Sequence, residues 1–277
     1  MSLYFIFTLA LVQGLTEFLP VSSSGHLVLT HHLFGDGGAG KDACWQENKL
    51  LDVAVHVGTL FAVLIYFRKD CTAMIKTLFA GRNVNDAPVK GLPLFWLIVI
   101  ASLPVIIVGA LIQMMQPSLL CSLEIMAWMT ILFAFVLWGA DRKPQNFDLK
   151  NLSVKSALII GLAQCLALVP GVSRSGITMT AARALGFERV AAAKFSLFLA
   201  IIAIAGAGTL GGLSTLETQT PLSLSTLLIA IGASFLSGLA AIHLMLKWLE
   251  RSGFTPFVFY RIILGIVLLT LIYSGAL

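Results

Sequence analysis

The chain has 277 residues, of which 58% are hydrophobic and only 11% charged, and its mean hydropathy is +0.95. This exceeds what an ordinary water-soluble domain can bury, so lipid is the solvent for most of the chain. The net charge of +5 does not point to nucleic acid, because the basic residues lie in short loops between apolar runs rather than in one stripe. At roughly 20 residues per crossing, about six to eight crossings fit in a single membrane domain.

The first apolar run, residues 3–19, lacks a basic leader and a small-residue cleavage site, and reads as retained structure rather than a signal peptide. It runs into the polar turn QGLTEFLPVSSSGH, residues 13–26, and a short apolar piece at 24–34. Spanning segments follow at 51–67, 93–113 and 119–139, then at 191–213, 222–246 and 257–273. Positive residues collect on the cytoplasmic side of a membrane, which places four clusters there: Arg68, Lys69, Lys76, Arg82 and Lys90; Arg142, Lys143, Lys150 and Lys155; Arg183, Arg189 and Lys194; and Lys247, Arg251 and Arg261. The loops around Pro117 and Glu217 contain no Lys or Arg and belong outside, as do Lys41 and Lys49. The cysteines, Cys44, Cys71, Cys121 and Cys165, have neither CxxC nor Cys/His spacing, which argues against a zinc site or a disulfide framework.

Placing Gln13 on Gln164 also superposes Leu11 on Leu162, Leu15 on Leu166, Val21 on Val172, Ser22 on Ser173, Ser24 on Ser175 and Gly25 on Gly176. The second copy starts at the inside cluster before residue 154 and returns to the inside cluster at Arg183, so it enters and leaves by the same face. The pieces after the turns, 24–34 and 175–187, are about 16–20 Å long as helix and cannot span alone. The expected fold is an all-α integral membrane protein with an inverted-topology repeat, each half one re-entrant helical hairpin plus three transmembrane helices. The first repeat covers residues 1–140 and the second 153–277.

The two turns gather Gln13, Glu17, Ser22, Ser23, Ser24, His26, Ser173, Arg174 and Ser175 at depth. A charged side chain at the membrane centre costs roughly 2.5–3.5 kcal/mol on insertion scales, so Glu17 and Arg174 should pair or line a wet cavity. A bare Glu17–Arg174 brace with the serines as helix caps leaves His26 and the extra hydroxyls unexplained. An anionic phosphate explains more: each turn opens a half-helix whose first N–H groups are unpaired, and Arg174 offers a bidentate fork. Glu17 and Gln13 share a helix face, and His26 lies just beyond the serines, which equips the first turn for acid–base chemistry. His31, His32 and His243 are assigned structural roles.

QGLTEFLPVSSSGH at 13–26 and PGVSRSG at 170–176 resemble the two signature motifs of the bacterial undecaprenyl-diphosphate phosphatase, or bacitracin-resistance, family. LDVAVHVGTLFAVLIYFR from Leu51 and FTPFVFYRI from Phe254 extend the resemblance along nearly the whole chain. It implies removal of the terminal phosphate of undecaprenyl diphosphate, which recycles the lipid carrier for cell-wall assembly. It also implies a multi-pass location in the bacterial inner membrane with the site open to the periplasm, and a second copy of the chain is admitted as a partner. By motif position Glu17 would position water or metal, Ser23 would be the nucleophile, His26 would handle protons and Arg174 would bind phosphate. Substrate contacts would come from Gln13, Ser22, Ser24, Ser173, Ser175 and Gly176. The family uses a divalent cation, Mg²⁺ or Ca²⁺, with Glu17 as its ligand here; family members often carry glutamate where this chain has Gln13, which removes a second anionic oxygen. A different lipid-phosphatase superfamily, with a PSGH element and a later SRx₅H motif, is echoed at Ser24-Gly25-His26 and Ser173-Arg174 but fails at Thr180. The alternative function is a polyprenyl-phosphate flippase or transporter, since inverted repeats with broken helices recur in transporters.

Overall fold

The computed structural model describes residues 2–34, 49–79, 93–115, 122–216 and 222–277. Lys41, Cys44, Arg82, Lys90, Pro117, Cys121 and Glu217 lie outside the described residues. The described chain is all-α: α1 (Leu3–Phe18), α2 (Ser23–Phe34), α3 (Lys49–Tyr66), α4 (Arg68–Phe79), α5 (Leu94–Met115), α6 (Leu123–Asp141), α7 (Val154–Gln164), α8 (Arg174–Ala184), α9 (Arg189–Leu216), α10 (Leu224–Leu249) and α11 (Thr255–Tyr273). Five of these, α5, α6, α9, α10 and α11, are long and apolar enough to cross a bilayer. Their outer faces carry bare Ile106, Ile107, Leu132, Phe135, Phe259 and Ile263, a surface suited to acyl chains and not to water.

The sixth expected crossing is α3, and here the structure adds an element. After Tyr66 the chain bends by 75° into α4, where the sequence suggested a loop. Charge masked this helix: Cys71 and Met74, one turn apart, pack on the main core while Arg68, Lys69 and Lys76 face outward.

Both hairpins exist as helix–turn–half-helix units. α1 has 16 residues, about 24 Å, and falls short of a ~30 Å hydrocarbon core. α7 has 11 residues and is prolonged by a 3₁₀ turn, Cys165–Leu168. Pro20 and Pro170 follow the two arms, and because proline lacks the N–H a helix needs, both stop there. Ser22 and Ser173 then adopt nearly the same left-handed backbone, at φ 70° and 71°. Ser22 Oγ meets Ser24 Oγ at 3.2 Å, and Ser173 Oγ meets Ser175 Oγ at 3.2 Å. The packing repeats as well: α1 lies on α10 and α7 on α5, each through a glycine. A Cβ on Gly14 would stand 1.9 Å from Ser237 Oγ, and one on Gly161 2.2 Å from the Ala101 carbonyl oxygen, so each arm approaches its neighbour backbone to backbone.

Asp141 ties one end of the bundle together. Its carboxylate accepts from Arg183 Nε at 3.3 Å, from Arg189 Nε at 2.7 Å and from the Phe254 N–H at 3.0 Å, while Arg183 also donates to the carbonyls of Lys143 and Phe187. Tyr66, beside Arg68, reaches His243 Nδ1 at 3.4 Å near the end of α10. These contacts bring the second and third basic clusters together beside the start of α11, and set the first cluster beside the last turns of α10. Arg183 itself is not a loop residue: it is fully buried in the last turn of α8, where Asp141 and three carbonyls meet its guanidinium.

Candidate active site

Glu17 closes α1 one turn after Gln13, on the same face, and is 9% exposed. Four groups converge on its carboxylate. Gln13 Nε2 donates to Oε2 at 2.9 Å and the Ser23 hydroxyl to the same oxygen at 3.1 Å. Arg174 Nη2 donates to Oε1 at 2.9 Å. His56 Nε2, from α3, stands 3.9 Å from Oε2. The pairing of Glu17 with Arg174 expected from their burial is present, and it joins the two hairpins. Arg174 keeps its other nitrogen on the Ser196 carbonyl of α9 at 3.1 Å.

The serines divide into donors and braces. Ser22 is buried and Ser24 exposed, linked to one another across the first turn. In the second turn Ser173 caps α8 by accepting from the Gly176 N–H at 3.2 Å, and buried Ser175 donates to the Leu19 carbonyl at 2.8 Å, which stitches the two turns together. Ser23 alone among them puts its hydroxyl on a carboxylate. His26 points elsewhere: its Nδ1 lies 2.8 Å from the Ser22 carbonyl and its Nε2 2.6 Å from the Tyr260 hydroxyl, with the two rings parallel. A carbonyl only accepts, so Nδ1 carries the proton and Nε2 presents its lone pair to Tyr260. Ser23 and His26 thus bond to different partners rather than to each other.

Three participants escaped the sequence reading. His56 sits in the apolar run DVAVHVGTLF, and the cost argument that singled out Glu17 applies to it equally. Tyr260 carried no signal, because a tyrosine in an apolar span is ordinary. Arg261 was counted with the cytoplasmic cluster, and the structure corrects this. α11 begins at Thr255, which puts Arg261 inside the bundle at 0% exposure, where carbonyls of α6 and of the second turn accept its hydrogen bonds.

The two hairpins are chemically unequal. Under the alignment of Gln13 with Gln164, Glu17 falls on Leu168, Ser23 on Arg174 and His26 on Ile177. Buried Gln164 accordingly has no hydrogen-bond partner for either amide atom among the described residues. One hairpin supplies the carboxylate, hydroxyl and histidine; the other supplies the cation.

This donor set does not fit a resident divalent cation. Glu17 is one carboxylate, both its oxygens already accept hydrogen bonds, and no group of three His, Cys, Asp or Glu side chains assembles among the described residues.

A family model described as bacitracin resistance protein BacA matches residues 6–267. The chain belongs to the BacA family. A relative from Hahella chejuensis named undecaprenyl-diphosphatase is 43% identical over 273 residues, covering 97% of each chain. One of the same name from Alteromonas mediterranea is 41% identical over 280 residues, covering 99% of this chain and 100% of the relative.

Proposed function

We propose that this multi-pass membrane protein is an undecaprenyl-diphosphate phosphatase, which removes the terminal phosphate of a polyprenyl diphosphate and returns the carrier lipid to cell-wall synthesis. The observation that carries the reading is the Glu17 carboxylate, shared by the hydroxyl of Ser23 and the guanidinium of Arg174. An anion-binding group and an activated hydroxyl meet there, whereas a lipid transporter needs the clamp and has no use for the hydroxyl on a carboxylate. The relatives' shared name supports the same substrate.

In this mechanism Arg174 and the first amides of α2 and α8 hold the terminal phosphate. Ser23 Oγ attacks phosphorus, the bond to the bridging oxygen breaks and polyprenyl monophosphate leaves, while the hydroxyl proton passes to Glu17 Oε2, the acceptor it already faces. Water then attacks the phosphoserine and gives a proton to the Tyr260 hydroxyl as that hydroxyl passes its own to His26 Nε2; the Oγ–P bond breaks, Oγ regains its proton from Glu17 and inorganic phosphate departs. Tyr260 leads the surplus proton outward from His26. Purified protein supplied with polyprenyl diphosphate should release inorganic phosphate and pass through a phosphoserine that Ser23→Ala lacks. Movement of intact diphosphate between vesicles without release would replace this reading with transport.

Mg²⁺ or Ca²⁺ enters with the diphosphate, not as a resident ion. Gln13→Glu sets a second carboxylate beside Glu17, and two carboxylates at hydrogen-bond distance share a cation or repel. This variant is expected to keep activity and to bind Mn²⁺ without substrate, seen by paramagnetic resonance, where the parent protein shows free Mn²⁺. An identical spectrum for both would remove position 13 from any cation site.

The two repeats, residues 1–140 and 153–277, have opposite orientations across the bacterial inner membrane, with the basic end in the cytoplasm and the site open outward. Glu17 is approached by His56 from the first half of α3, away from the Tyr66 end that meets the basic clusters. In a background without native cysteines, Ser225→Cys should react with an impermeant reagent on intact cells and Asn146→Cys only after lysis. The opposite pattern would invert the assignment.

A further inference from the structure

We infer that Arg261 positions the anion-binding turn of the second hairpin and uses the bound diphosphate as its counter-charge, although it does not touch the substrate; this rests on the phosphatase reading above. Arg261 donates from Nε to the Thr130 carbonyl at 3.1 Å, and from Nη2 to the carbonyls of Gly171 at 2.9 Å and Val172 at 3.0 Å. Gly171, at φ 89°, lies so close to α6 that a Cβ would stand 2.0 Å from the Met126 carbonyl oxygen, so the turn is pinned from two helices. Because each peptide unit is planar, drawing both carbonyls to the guanidinium turns the N–H groups of Val172 and Ser173 the opposite way; that of Val172 donates to the Val169 carbonyl at 3.3 Å, which leaves that of Ser173 for an anion. Ser173 then opens α8, whose first amides, on Arg174 and Ser175, have no acceptor within the helix.

Charge supplies the second half of the argument. Arg174 is paired with Glu17, and Arg183 with Asp141, but no carboxylate bonds Arg261 among the described residues. Its Nη1 is buried without a hydrogen-bond partner and abuts Gly176, where a Cβ would lie 2.7 Å away. An unbalanced cation inside a membrane bundle is costly. Behind the start of α8 it reinforces the positive end of the helix dipole, and a diphosphate on the other side of that turn offsets it.

The test compares Arg261→Lys, Arg261→Met and the parent protein in detergent, measuring melting temperature, kcat and KM for polyprenyl diphosphate, and inhibition by orthovanadate. Arg261→Lys keeps the charge, but its compact ammonium lacks the planar spread that lets the guanidinium reach Thr130 on α6 and both turn carbonyls together, so KM should rise about ten-fold with vanadate inhibition weakened in parallel and kcat changed less. Arg261→Met, without the charge, should lose up to about 100-fold. A lowered melting temperature with unchanged KM and vanadate inhibition would make Arg261 a scaffold residue and overturn the inference. Should the Arg261 variants fail to fold, Gly176→Ala displaces the guanidinium without removing it, and unchanged KM and vanadate inhibition there would overturn it equally. If the parent protein releases no phosphate, the hydrolase reading falls, and vanadate binding measured directly still decides the role of Arg261.

Discussion

Glu17→Ala should abolish phosphate release, a fall of about 10²–10⁴-fold, in protein that still reaches the membrane folded. Glu17 accepts the Ser23 proton in the proposed first step, and alanine leaves that hydroxyl without a base. The same change also strips Arg174 of its counter-charge, and breaking a buried pair costs about 3–5 kcal/mol when both ions are fully enclosed. Arg174 is 15% exposed and keeps the Ser196 carbonyl, so the loss here is smaller and folding survives. Glu17→Gln separates the two effects: the amide oxygen still accepts from Arg174, but the group cannot take a proton. Inactivity of both variants identifies a base; an active Glu17→Gln beside a dead Glu17→Ala identifies a brace, and full activity of Glu17→Ala takes the residue out of the mechanism.

The sequence disclosed the spans because hydropathy averages over whole turns and is insensitive to which side chain faces which neighbour. It disclosed Glu17 and Arg174 because a charge in an apolar run demands a partner, and each was the other's only evident one. Where the reading went astray, the missing information was burial. Arg183 and Arg261 sit only one or two helical turns from loops, and counting charges cannot tell a residue snorkelling to water from one clasped by inward-turned carbonyls. α4 was lost for the converse reason, since its polar face dilutes the apolar one below any hydropathy threshold. The proton partner of Ser23 was beyond reach altogether: His26 is the nearer of the two candidates along the chain, yet the turn at Ser22, with φ 70°, lies between Ser23 and α1, and the hydroxyl meets Glu17.

Arg174→Lys should behave nearly as badly as Arg174→Ala in turnover, about 10²–10³-fold down, while binding of the intact diphosphate suffers less. One planar fork now spans two partners, with Nη2 on Glu17 and Nη1 on the Ser196 carbonyl, and its position is therefore fixed from both the first hairpin and α9. Lysine keeps the positive charge, and long-range attraction for a diphosphate survives with it. An ammonium has no planar fork, so it cannot keep both anchors in line and still turn a donor toward the oxygens that gain charge as the terminal phosphate transfers. Interactions that strengthen only in the transition state appear in kcat, and losing them leaves KM comparatively untouched. Folded yield, diphosphate binding and phosphate release measured on the same detergent-purified variants separate these terms. If lysine restores normal release, charge alone suffices at this position; if both variants release phosphate at the parent rate, Arg174 only braces the hairpins against one another.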